Sequence, residues 1–160
     1  MTTDYTNRQI DLELLQSIVV PSPDRQRVSV STLSSQPKVV TGIEKAIQRY
    51  TQLLLTTTGD IHFGQDVGGS FMRSIMQGSV GDKGALTHLF CITSANALKV
   101  MALDDQDVRF GTVSTDERLV DATLLDLDMD YSNFTISISV QLTTAAGNQY
   151  QFVVPVSTAG

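Results

Sequence analysis

The chain has 160 residues, 41% of them apolar, and carries a formal charge of −6 from 11 Lys and Arg against 17 Asp and Glu. That length and apolar share suffice for one domain with a real core, while scattered cations on an acidic chain exclude a nucleic-acid backbone as the main partner. The lone cysteine, Cys91, excludes an internal disulfide framework and reads as a buried thiol in a reducing compartment; Asp4, Arg8 and Asp11 interrupt the start, so neither a signal peptide nor a membrane span is expected.

Residues 1–7 are polar and are expected to fray. Ile10, Leu12, Leu14, Leu15, Ile18 and Val19 then suggest a short helix over 8–17 that ends before Pro21. The stretch 21–37 is rich in Ser, Gln and Pro, with Val28, Val30 and Leu33 as its apolar markers. Residues 1–38 therefore read as an N-terminal arm with a short helix, either a docking device on a polar tether or a piece packed back on the main domain, 39–160.

Thr41 starts the best-marked helix, with Ile43, Ala46, Ile47, Tyr50, Leu53 and Leu54 at steps of three and four. The period stops at a glycine-rich turn. Gly59, Gly64, Gly68 and Gly69 permit positive φ or close approach, and Phe63 and Phe71 are expected to plug the turn into the core. A short helix follows over 70–77, then a loop over 78–84. Residues 85–103 form a second long helical stripe, in which Ser94 and Asn96 are able to cap a second piece; 104–115 reads as a loop or short edge element.

The last third changes to period two. Leu125, Leu127, Met129 and Tyr131 alternate with Asp126, Asp128 and Asp130, and Phe134, Ile136, Ile138, Val140 and Leu142 alternate with polar residues. A turn at Ser132 and Asn133 joins these two strands, and a turn over 145–148 leads to a third, 150–156, which Pro155 marks as an edge. The fold class expected is α+β: two main helices packed on a three-stranded antiparallel sheet, with an N-terminal extension.

No chemistry stands out, and catalytic, cofactor-binding and metal-binding residues are all expected to be none. Glu44, Asp60, Asp66 and Asp82 surround the turn, and a glycan hydrolase of lysozyme type needs two carboxylates across the scissile bond. Helix-start and turn chemistry explain these acids better, so that enzyme is kept as the alternative function. His62 with Asp60 and Asp66, or His88 with Cys91, supplies too few ligands for a metal. Asp126, Asp128 and Asp130 share a strand face that suits water or a basic partner.

The segment LLLTTTGD, the following HFGQDVGG, the helix near 85–103 and the quartet Asp116-Glu117-Arg118-Leu119 before the strands together resemble the small baseplate wedge proteins of contractile phage tails, the W-type or lysozyme-like wedge family. The resemblance covers about 39–156. Glu117 stands where the family usually has proline, and Asp116 where it has glutamate, within the family's Glu-Pro-Arg-Ile signature. It implies that 39–160 is a W-type wedge domain, structural rather than enzymatic, in a virion tail baseplate and made in the host bacterial cytoplasm. The implied partners are other wedge proteins, the tail sheath subunit and hub or tube proteins, with no nucleic acid, membrane or cofactor. Glu117, Arg118, Tyr150, Phe152 and Val154 are the interaction residues expected, with Arg118 anchoring the turn through a bidentate carboxylate contact and the outer edge of 150–154 open to a sheath strand.

Overall fold

The computed structural model describes residues 10–21, 27–33, 38–59, 68–77, 82–106, 113–130, 132 and 135–157. Within them the chain runs β1 (Ile10–Leu12), β2 (Leu15–Pro21), β3 (Arg27–Leu33), β4 (Val39–Thr41), α1 (Gly42–Leu55), α2 (Phe71–Met76), α3 (Lys83–Asp104), β5 (Leu119–Asp130), β6 (Thr135–Thr144) and β7 (Gln149–Ser157). Helices α1 and α3 cover the meander β5-β6-β7, so the expected α+β architecture with its N-terminal extension is observed.

The core lies between those layers. Helix α1 buries Ala46, Tyr50, Leu53 and Leu54, the stripe that its period dictates. Against it β6 turns Ile136, Ile138, Val140 and Leu142 inward, and β7 contributes Phe152, Val154 and Val156. Tyr50 and Phe152 meet edge to face with centroids 6.2 Å apart, and Phe71 meets Phe90 of α3 at 5.9 Å. Phe71 thus plugs the short helix α2 into the core as expected, whereas Phe63 lies outside the described residues.

Helix α3 is unbroken. Asp82 caps it by accepting from the Ala85 N–H at 3.0 Å, and Ser94, read as an interior cap, is instead buried with its hydroxyl 2.7 Å from the Tyr50 hydroxyl. The helix is long and apolar enough to cross a membrane by length and composition, but Leu86, Phe90, Ala97 and Met101 pack into this core. Cys91 corrects the expectation of a buried thiol: it is exposed, outside the buried stripe of the helix.

Three further corrections concern strands. The helix expected over 8–17 is replaced by β1, which pairs with β4 from Ile10↔Thr41 to Leu12↔Val39, and by β2, which forms an antiparallel hairpin with β3. That hairpin joins the meander, giving the order β2-β3-β7-β6-β5. On β5 the alternation slips: register shifts between Leu119 and Asp121 and between Leu124 and Asp126 turn Leu124 toward the core and leave Leu125 exposed. One extra residue in a strand moves every later side chain to the opposite face, so the count of alternating residues fails across a bulge.

One buried side chain helps to fasten the root of the hairpin. Gln48, 2% exposed on α1, accepts from the Leu14 N–H at 2.7 Å and the Leu15 N–H at 3.2 Å, and donates through Nε2 to the Leu12 carbonyl at 2.8 Å. A side-chain amide thereby supplies the donors and acceptors that the chain between β1 and β2 would otherwise lack. Gln48→Met keeps the length and removes these partners. It is expected to lower stability by about 2 kcal/mol and to accelerate amide exchange at Leu14 and Leu15; unchanged protection there would show that the clamp carries no weight.

Candidate functional site

The residues singled out by sequence fall in three places. The first is the turn before β5. The Glu117 and Arg118 N–H groups both donate to the Ser114 carbonyl, at 3.1 and 3.0 Å, and the Ala145 N–H donates to the Arg118 carbonyl at 2.9 Å, tying this turn to the one between β6 and β7. Glu117 is buried, and its carboxylate lies where a Cβ on Gly42 would meet Oε1 at 3.6 Å. It therefore sits at the start of α1, where Gly42 adopts φ 67° and Thr41 makes no side-chain cap. Helix N-termini favour an anion, so Glu117 holds the beginning of the meander against the beginning of α1. Arg118 is exposed, and its main chain is fastened to this turn through both its N–H and its carbonyl.

Charged neighbours surround that junction. Arg49 pairs with Asp104 across α1 and α3. Burial pushes the Asp105 carboxyl above its ordinary pKa, against the opposing pull of Arg49, Arg118 and Lys45; burial, helped by Arg49, pushes Lys45 below its own. Because the folded-state pKa of Asp105 exceeds 3.8, the value without the fold, its ionisation opposes folding. That opposition is complete above the folded pKa and is gone below 3.8. Asp105→Asn is accordingly expected to melt higher than the unaltered chain at neutral pH and to lose that advantage below pH 3.8. Equal differences at both pH values, measured by thermal melts, would contradict this sign.

The second place is the glycine turn. The Gly69 N–H donates to the Thr56 carbonyl at 3.0 Å and the Thr58 N–H to the Gly69 carbonyl at 3.2 Å, so the segment after α1 returns to its own start. Gly59 and Gly68 have φ of 91° and 95°, a region that side chains disfavour. Gly64, like Phe63, lies outside the described residues.

The third place is β7. Phe152 and Val154 are buried in the core and Tyr150 is half-buried, so the first two present no side chain to a partner. The outer edge of β7, expected to be open, is paired in parallel with β3 at Ser29↔Phe152 and Val30↔Val153. The pairing stops short of Pro155, which has no N–H to extend a ladder. At the far side of the sheet β5 carries exposed Asp121, Asp126, Asp128 and Asp130 together with its register shifts, features that discourage another strand. Lys83 meets Asp126 at 3.0 Å, which holds that carboxyl below the usual range chiefly through the hydrogen bond.

Sequence reasoning missed the apolar surface on α3 and β5. Ile92, Leu103, Val120 and Leu125 are each about half exposed, and α3 packs along β5. The signal was present in α3, whose apolar residues lie on every side, more than one sheet face is able to cover. Of the acids weighed for glycan hydrolysis, Glu44 is exposed on α1 and Asp82 caps α3, while Asp60 and Asp66 lie outside the described residues. Comparisons with known protein families, with characterised proteins and with solved structures give no match for this chain.

Proposed function

We infer that the chain is a structural wedge subunit of a contractile-tail baseplate, joining neighbouring wedge proteins around the hub and offering a sheet edge to the tail sheath subunit. One observation carries this reading. The two short segments behind the family resemblance grip opposite ends of the same helix: Thr56 and Thr58 bond to Gly69 beyond the C-terminus of α1, and Glu117 sits at its N-terminus. Segments far apart in sequence thus have linked mechanical roles, which fits a body whose helices and sheet must move as one. The exposed apolar side chains Ile92 and Leu103 on α3 and Val120 and Leu125 on β5 are available to neighbouring wedge proteins.

A reconstruction of the tail particle made in the same cell tests the reading. The chain is expected in the ring of wedges around the hub, adjoining the first sheath layer and in contact with hub or tube proteins. Particles that assemble a complete baseplate and contracted sheath without the chain would overturn it.

A further inference from the structure

Among the described residues, two attachments of different kind hold the hairpin on β7. At its root lie the Gln48 amide, the Glu13 N–H bond to the Lys38 carbonyl at 2.7 Å and the β1–β4 ladder. Further along, β3 touches β7 by a parallel register confined to Ser29↔Phe152 and Val30↔Val153. The neighbouring ladders are much longer, from Leu15↔Leu33 to Pro21↔Arg27 within the hairpin and from Thr135↔Ser157 to Thr143↔Gln149 between β6 and β7. Parallel pairing is also slightly weaker per residue than antiparallel pairing. The β3–β7 seam is therefore where this sheet opens at least cost, and opening it breaks neither the hairpin nor the meander.

We propose that the β2–β3 hairpin is a displaceable guard of the β7 edge, which leaves β7 as a unit while its root stays clamped to α1 and so exposes the β7 backbone to an incoming extended strand. An uncovered edge recruits any available strand, including that of another copy. A guard tethered to the same chain suppresses such pairing on β7 by its high local concentration, and leaves β2 as the terminal strand on that side of the sheet. A partner strand with a longer register on β7 displaces it, and its apparent affinity is reduced by the fraction of molecules that are open. The identity of the incoming strand as that of a sheath subunit rests on the wedge reading; the opening itself does not.

Residue-resolved amide exchange on the full chain tests the opening. Along 150–154, the amides bonded to β3 in this short register are expected to exchange at least tenfold faster than the alternating amides bonded to β6, while those inside the β2–β3 ladder keep their protection. Val30→Cys combined with Val153→Cys, in a Cys91→Ser background, supplies a lock across the seam. Oxidation is expected to abolish the alternation, and a labelled peptide copying residues 27–33 to bind the reduced protein at least tenfold more tightly than the oxidised one. Uniform protection along β7 in the unaltered chain overturns the proposal even if the disulfide fails to form, and peptide binding indifferent to a formed disulfide overturns it as well. A baseplate without this chain would sink the wedge reading and leave the exchange pattern unaffected; uniform exchange would sink the guard and leave the wedge reading intact.

Discussion

Phe152→Ala is expected to lower the free energy of unfolding by about 3–5 kcal/mol. The side chain is 1% exposed at the centre of β7, with the Tyr50 ring edge to face against it and Val140 opposite it on β6. Truncation removes the transfer energy of the ring and leaves a cavity that Tyr50 cannot fill without abandoning the 2.7 Å contact of its hydroxyl with Ser94. Urea denaturation with an unchanged slope measures the loss. Val153→Ala, at a half-buried neighbour on the other face, is expected to cost about 1 kcal/mol or less. An interaction residue would behave in the opposite way, with Phe152→Ala leaving the isolated chain's midpoint unmoved and weakening only partner capture.

That contrast shows what the sequence carried and what it withheld. Alternation in β6 was legible because Ile136, Ile138, Val140 and Leu142 follow one another without a bulge, and the buried stripe of α1 was legible for the same reason at helical period. The apolar cluster from Ile10 to Val19 was ambiguous, since its spacings of two, three and four satisfy either period over so short a length. Gln48 resolves it from a distance, holding Leu12, Leu14 and Leu15 in an extended path that local propensity does not specify. Leu125 went wrong through a register shift, which changes parity without changing composition. Cys91 went wrong because α3 is apolar on all sides, so that burial was decided by which side met the sheet. The cover on β7 depends on a parallel pairing between residues more than a hundred positions apart, for which neither strand carries a mark. Of the site residues, Gly59, Gly68 and Gly69 were readable as places of positive φ or close approach, whereas the burial of Glu117 was not, because only the folded chain brings Gly42 beside it.

Gly69→Ala is the second large effect expected, about 3 kcal/mol of destabilisation. A Cβ at Gly69 would lie 2.2 Å from Thr93 Oγ1, 2.6 Å from its Cγ2 and 2.8 Å from its Cβ. Thr93 is 2% exposed in the middle of α3 and branched at Cβ, so it has neither room nor a free rotamer with which to yield. Relief then requires α3 to move from the turn, and the same turn is bonded to Thr56 and Thr58 at the end of α1. The clash is thereby passed to the packing of both long helices. Gly84→Ala separates this close approach from any general effect of losing a glycine, because its new Cβ would meet only the end of the Asp82 side chain, whose capping Oδ2 lies 3.1 Å away and can shift without moving α3. Adding Thr93→Ala removes the two shortest contacts and leaves the 2.8 Å one, so the double variant is expected to recover part of the loss, a coupling that denaturation of the four-member cycle measures directly. Strict additivity of Gly69→Ala and Thr93→Ala would mean that the turn does not rest on α3 at this point.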